Sequence, residues 1–263
     1  MVSPASAELI ARARNAPADA MVAARALPLL DLTSLNEGDA EAEIERLCCR
    51  AVAYGTAAVC VDPRFVPLAK GLVRGSGVRL ATVANFPHGS DDNARAADEC
   101  AAAVADGADE VDVVAPIEAI RQGDIGMVSE LVGACRTAAS ETTLKVILET
   151  GVLAEPSLIA GAARAAVMAG CDFLQTSTGE TPAGATLEAA AVMLAVIEEA
   201  DGRVGFKAAG GIRTLRDAAA YLQLAAELIN PSWACPTTFR FGASALLDNL
   251  LRALPPGSAE IEA

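Results

Sequence analysis

The 263-residue sequence has one histidine, His88, and no Gly-x-Ser-x-Gly. A Ser–His–Asp hydrolase needs an imidazole beside its nucleophile, and zinc sites draw on histidines or closely paired thiolates, so both are disfavoured. His88 itself follows a proline in NFPHG and reads as a turn residue. The seven cysteines, at 48, 49, 60, 100, 135, 171 and 235, show no paired metal spacing, and several fall in apolar runs. They read as reduced core residues of a cytosolic protein. Positive charge is scarce: 20 Lys and Arg face 34 Asp and Glu, for a net −14. That excludes a broad nucleic-acid footprint or attraction to an anionic membrane, but not a small basic pocket for an anion. No apolar run reaches about 18 residues and no charged-then-apolar leader begins the chain, so neither membrane spanning nor secretion is expected. Lysine is rarer still, with only Lys70, Lys145 and Lys207 against seventeen arginines. A lysine inside a strand is therefore less incidental here than in a lysine-rich chain.

What is present is alanine and aliphatic residue in abundance, 53% hydrophobic overall, which suits a packed α/β protein. Short apolar runs recur at 28–32, 57–61, 79–84, 110–115, 144–149, 172–176, 203–207 and 239–242. Amphipathic segments lie between and after them, at 38–54, 63–75, 92–106, 117–140, 156–170, 186–200, 214–228 and 243–253. Strand then helix, eight times in a chain of this length, predicts a (β/α)8 TIM barrel. The competing doubly wound sheet lacks a G-x-G-x-x-G after its first strand. Residues 5–25 predict an extra N-terminal helix. The expected organisation is one domain, 1–263, with a helical extension over 1–27 and a C-terminal tail over 254–263.

Barrel chemistry lies where strands end. Polar residues at those ends are Asp31, Thr33, Asn85, Asp112, Glu149, Gln175 and Lys207. In CDFLQTSTGETPAG, alternation places Phe173, Gln175 and Ser177 on one face and Leu174 and Thr176 on the other. VGFKAAGGIRT joins Lys207 to a double glycine and Arg213, and FRFGASALL places Gly242 and Ser244 before the last helix. Exposed backbone amides at helix N-termini after strands seven and eight suit an anion. A desolvated Lys207 can attack a carbonyl or shuttle protons, and Asp112 can relay protons or simply pair with that lysine. Lys145 begins its strand, about 13 Å from Glu149 at the far end, and reads as a structural residue of a lower layer.

Eight motifs in order, LLDLTSLN, AAVCVDPRF, ATVANFPHGSD, ADEVDVVAP, LKVILETGVL, CDFLQTSTGETP, VGFKAAGGIRT and FRFGASALL, resemble deoxyribose-phosphate aldolase from residue 28 to 253. The resemblance implies a class I aldolase without metal or organic cofactor, a homodimer in the cytoplasm, acting on a small aldehyde or sugar phosphate in deoxyribonucleotide breakdown. It implies catalytic roles for Lys207 and Asp112, a substrate pocket with Thr33, Leu35, Cys48 and Thr178, and a phosphate cradle of Gly179, Gly210, Gly211, Arg213, Gly242 and Ser244. The departure is at the centre, where the family's Schiff-base lysine is replaced by Gln175. An amide nitrogen is delocalised into its carbonyl and forms no imine. Glu180 stands where the family often has a phosphate-binding lysine, Ala245 replaces a frequent serine, and a C-terminal tyrosine is missing. Three readings follow: an imine on Lys207, a non-covalent lyase, hydratase or isomerase in which Gln175 hydrogen-bonds a substrate carbonyl, or a binding protein that has lost the chemistry.

Overall fold

The structure is a computed structural model that describes residues 4–255. The expected tail beyond 255, including the place of the missing tyrosine, lies outside the described residues. Eight parallel strands close into a barrel in chain order. They are β1 (Leu30–Ser34), β2 (Ala58–Val61), β3 (Arg79–Ala84), β4 (Glu110–Val114), β5 (Thr143–Ile147), β6 (Phe173–Gln175), β7 (Gly205–Ala209) and β8 (Phe239–Ala243). All eight expected strands are present. β1 and β7 begin two residues later than the apolar runs suggest. At β1 the cause is Pro28, which joins a 3-10 turn over Leu27–Leu29; at β7 the turn at Asp201 and Gly202, both with positive φ, delays the strand. The shift moves Lys207 from a strand end to the middle of β7.

Two expected helices are broken. The N-terminal segment forms Pro4–Arg14 and Ala20–Ala26, because Pro17 has no amide to donate and the Asp19 side chain caps the second helix at the Val22 N–H. Both pack against the helix Leu215–Leu228. The segment 117–140 forms Ile117–Arg121 and Gly126–Ala138, separated by a turn through Gly123 at φ 85°.

Alternation along the strands sorts two environments. Val59, Val61, Leu80, Val111, Val113, Leu144, Val146, Leu174, Phe206 and Phe239 turn outward and join the core beneath the helices. Inward, Ala58, Cys60, Ala81 and Val83 make a small apolar wall from β2 and β3. β1, β4, β5, β7 and β8 turn charged side chains into the barrel, where Asp31, Glu110, Asp112, Lys145, Lys207 and Arg240 are buried.

Candidate active site

Those six groups are held together by register. Asp112 stands opposite Lys145, Gln175 opposite Lys207, and Lys207 opposite Arg240. Lys207 Nζ lies 2.6 Å from Asp112 Oδ2 and 2.7 Å from Asp31 Oδ2. Lys145 Nζ lies 2.6 Å from Asp112 Oδ1 and 2.6 Å from Glu110 Oε2. Arg240 closes the set, 2.6 Å from Asp31 Oδ1 and 2.9 Å from Glu110 Oε1. Three carboxylates and three cations balance, which is what makes so many buried charges tolerable. Burial opposes the charge on Lys207, but the carboxylates of Asp112 and Asp31 outweigh it and hold its pKa above the ordinary lysine value. Burial opposes the charge on Asp31 as well, yet Arg240, Lys207 and Lys145 keep its pKa below the usual aspartate range. Lys145 is likewise held above its ordinary value by Asp112 and Glu110 against burial. At neutral pH, then, both barrel lysines are ammonium groups.

Gly242 makes room for Lys207. A Cβ at that position would sit 2.9 Å from Lys207 Cε. Above the charged layer opens a cavity of about 250 Å³ at the carboxyl ends of the strands. Asp112, Gln175 and Lys207 all line it and are at least 95% buried. The expected convergence of these three residues is thus present. Thr33, Leu35 and Thr178 also line the cavity. At its rim stand Gly179, Gly210, Gly211, Arg213, Gly242 and Ser244. Lys145 does not line it, consistent with a lower layer.

Cys48 is a correction. It is buried on the helix Glu41–Tyr54, outside the barrel, and does not line the cavity. Cys60 of β2 does, and burial pushes its thiol up to about 12. Alternation in AVCV carries the signal, because Val59 and Val61 take the helix-facing positions and leave Ala58 and Cys60 inside. Glu110 and Arg240 also belong to the charged layer and are not among the strand-end residues, whereas Asp31 is among them but is given no role. Asp31 carries a legible signal, lying two residues before Thr33 on the same face.

The loops around the cavity are pinned by buried polar residues. Glu149 Oε2 accepts from the Thr178 N–H at 3.2 Å and from its hydroxyl, while Oε1 accepts from Thr181 at 3.2 Å. Gly184 lies against Gly210, with no space for a Cβ, which would meet the Gly210 carbonyl at 2.2 Å. The two candidate anion sites differ. The helix Leu215–Leu228 is capped by Thr214 and Asp217, whose side chains accept from the Arg213, Thr214 and Asp217 amides. Leu246–Ala253 has Ala245 at its N-cap and no side-chain cap, beside exposed Ser244. Glu180 also lines the cavity and is exposed. His88 stays in its turn and does not line it.

Gln175 is oriented. Its Nε2 donates to the Ser177 carbonyl at 3.1 Å, and its buried Oε1 has no protein donor. One hydrogen of the amide nitrogen is therefore engaged with the backbone, the second remains available, and the oxygen is an acceptor without a protein donor.

Among the described residues no group of His, Cys, Asp and Glu is arranged to hold a metal ion, and no helix is long and apolar enough to cross a membrane. The family model of the DeoC/LacD family aldolases matches residues 25–252. Among solved structures, a Coccidioides immitis protein classed as a deoxyribose-phosphate aldolase is 29% identical over 96% of this chain and 99% of its own, with a TM-score of 0.79. An aldolase designated QR15 is 30% identical over 86% of this chain and 96% of its own, with a TM-score of 0.73. The tetrameric deoxyribose phosphate aldolase of Aeropyrum pernix, 22% identical over 92% and 95% of the two chains at a TM-score of 0.73, shares the fold. A closed eight-stranded barrel and a family match across nearly its whole length make this chain a member of the DeoC/LacD aldolases, an aldolase-type lyase.

Proposed function

We propose that this protein breaks or forms a carbon–carbon bond in a small aldehyde or sugar phosphate, as a deoxyribose-phosphate aldolase does, but without an imine. The observation that carries the reading is Lys207 Nζ, held 2.6 Å and 2.7 Å from two carboxylates on the floor of the cavity. A nucleophilic amine must first lose a proton, and here the proton is retained by Asp112 and Asp31. The same ammonium is a strong, fixed hydrogen-bond donor. Directed at the carbonyl oxygen of a β-hydroxy aldehyde, it stabilises the enolate formed when the bond between the α- and β-carbons breaks. The electron pair of that bond passes to the α-carbon. The proton of the β-hydroxyl is relayed through water toward Asp112 and returned to the α-carbon, leaving two aldehydes. A preorganised donor of this kind contributes about 3 kcal/mol, or roughly a hundredfold in rate.

Thr33, Leu35, Thr178 and Cys60 form the walls for the carbon skeleton. Arg213, Ser244 and the amides at Gly179, Gly210, Gly211 and Gly242 receive a phosphate where one is present. A cytoplasmic homodimer is part of the same reading, and light scattering on the purified protein tests the assembly. The test of the chemistry is acetaldehyde release from 2-deoxyribose 5-phosphate, run beside borohydride trapping with acetaldehyde and intact mass. Release without an adduct is expected, and Lys207→Met abolishes it. An adduct mapped to Lys207 overturns the non-covalent step. Failure to cleave any hydroxy aldehyde, phosphorylated or free, overturns the lyase reading itself.

A further inference from the structure

We infer that Gln175 is a specificity-determining residue that accepts a hydrogen bond from a substrate hydroxyl, so that the cavity selects β-hydroxy carbonyl compounds over simple carbonyl compounds. The inference rests on the lyase reading of the same cavity for its chemical setting, but it concerns recognition and stands or falls on binding. Three observations converge. Gln175 is 5% exposed, lines the cavity, and carries a carbonyl oxygen without a protein donor. A buried acceptor left unmet costs about as much as a lost hydrogen bond, so a ligand that supplies a donor is favoured over one that does not. The orientation of the amide is fixed, because Nε2 donates one hydrogen to the Ser177 carbonyl and a reversed amide would set two oxygens 3.1 Å apart; the second Nε2 hydrogen does nothing for the unmet oxygen.

The neighbour defines the second half of the ligand. Lys207 is the register partner of Gln175 on β7 and also lines the cavity. It is an ammonium, a donor with no lone pair to offer. The cavity floor therefore sets the Lys207 donor beside the unmet Gln175 acceptor on the adjacent strand, about 5 Å apart at the backbone, with the second Nε2 hydrogen as a further donor. The complementary ligand has one oxygen that accepts and one that donates, separated by a short carbon bridge. A β-hydroxy aldehyde or ketone meets both, with its carbonyl toward Lys207 and its hydroxyl toward Gln175. An unsubstituted aldehyde leaves Oε1 unmet.

A matched pair of small ketones tests this without turnover of a sugar: 4-hydroxy-2-butanone, which has the second oxygen, and 2-butanone, which lacks it. Affinities are read by ligand-observed NMR titration of the intact protein. The wild type is expected to prefer the hydroxyketone by about three- to tenfold, the ratio that one neutral hydrogen bond supplies. Gln175→Met, similar in length but without the acceptor, brings the ratio of the two affinities to about one. A wild type that binds both ketones alike, or neither, overturns the inference, as does a Gln175→Met protein that still discriminates. The wild-type comparison needs no variant and is immune to a folding defect. Preference without cleavage of any sugar leaves the inference standing and removes the lyase reading; cleavage without preference does the reverse.

Discussion

Gln175→Lys restores an amine at the one position where the barrel can depress its pKa. The new ammonium would lie on the strand next to Lys207, whose positive charge is held in place by Asp112 and Asp31. Two like charges about 5 Å apart at an effective dielectric near 20 repel by about 3 kcal/mol, or roughly two pKa units. Starting from the ordinary lysine value of 10.5, the introduced amine titrates near pH 8, and burial lowers it further. At pH 7.5 roughly a quarter of it is free base, about two hundredfold more than an unperturbed lysine offers. Lys207 takes no such net benefit in the wild type, because Asp112 and Asp31 outweigh burial and its cationic neighbours. The assay is borohydride trapping with acetaldehyde followed by peptide mapping, with acetaldehyde release from 2-deoxyribose 5-phosphate measured in parallel. The variant is expected to carry its adduct at 175, to cleave at least tenfold faster than the wild type, and to show a rate that rises with pH to a plateau above about pH 8. The wild type is expected to show no such ascending limb, since Lys207 stays protonated through this range. A folded variant that forms no adduct, or a wild type labelled at Lys207, refutes the electrostatic reasoning.

Asp112→Asn removes the carboxylate shared by Lys145 and Lys207, each 2.6 Å away. It leaves the buried layer with one unbalanced positive charge. A loss of about 3–5 kcal/mol in urea unfolding is expected, and a loss below about 1 kcal/mol would show that the layer is far wetter than its burial implies. Asp31 has a folded-state pKa below its ordinary 3.8, so its contribution is complete above that pH and disappears as the pH falls through the folded value. Unfolding midpoints should therefore hold from pH 8 to about 5 as far as this group is concerned and fall below about 4; a midpoint unchanged between pH 5 and 3 contradicts the assignment. Glu180→Lys exchanges a repulsive charge for an attractive one at the cavity rim. Because the side chain is exposed, solvent reduces the effect to about 1 kcal/mol, or several-fold tighter inorganic phosphate by calorimetry. No change would place the phosphate, if the cavity takes one, away from this loop.

The barrel was legible because each unit repeats the same constraint: a strand buried on both faces, then a helix with one apolar stripe. The match of eight motifs with family members adds register to that pattern, and register is what brings residues 112, 175 and 207 together from three strands. The sequence was less informative about depth. An apolar run marks where a strand can be, but Pro28 and the turn at Asp201 and Gly202 decide where it starts, and the two-residue shift takes Lys207 from the rim into a closed layer of charge. That layer is invisible to any local reading, since Asp31, Glu110 and Arg240 come from strands far apart in the chain and each alone resembles an ordinary strand-end charge. Cys48 was misplaced for a related reason: the resemblance alone put it in the pocket, whereas it is buried on the helix Glu41–Tyr54 and the alternation of AVCV turns Cys60 inward. Gln175 shows the same limit at the level of a single side chain. Its identity rules out an imine from sequence alone, yet which end of the amide is free depends on one backbone carbonyl two residues away. Ser177 takes one hydrogen of the nitrogen, the oxygen is left without a protein donor, and the residue gains a reading as an acceptor for a hydroxyl beside that of a donor toward a carbonyl.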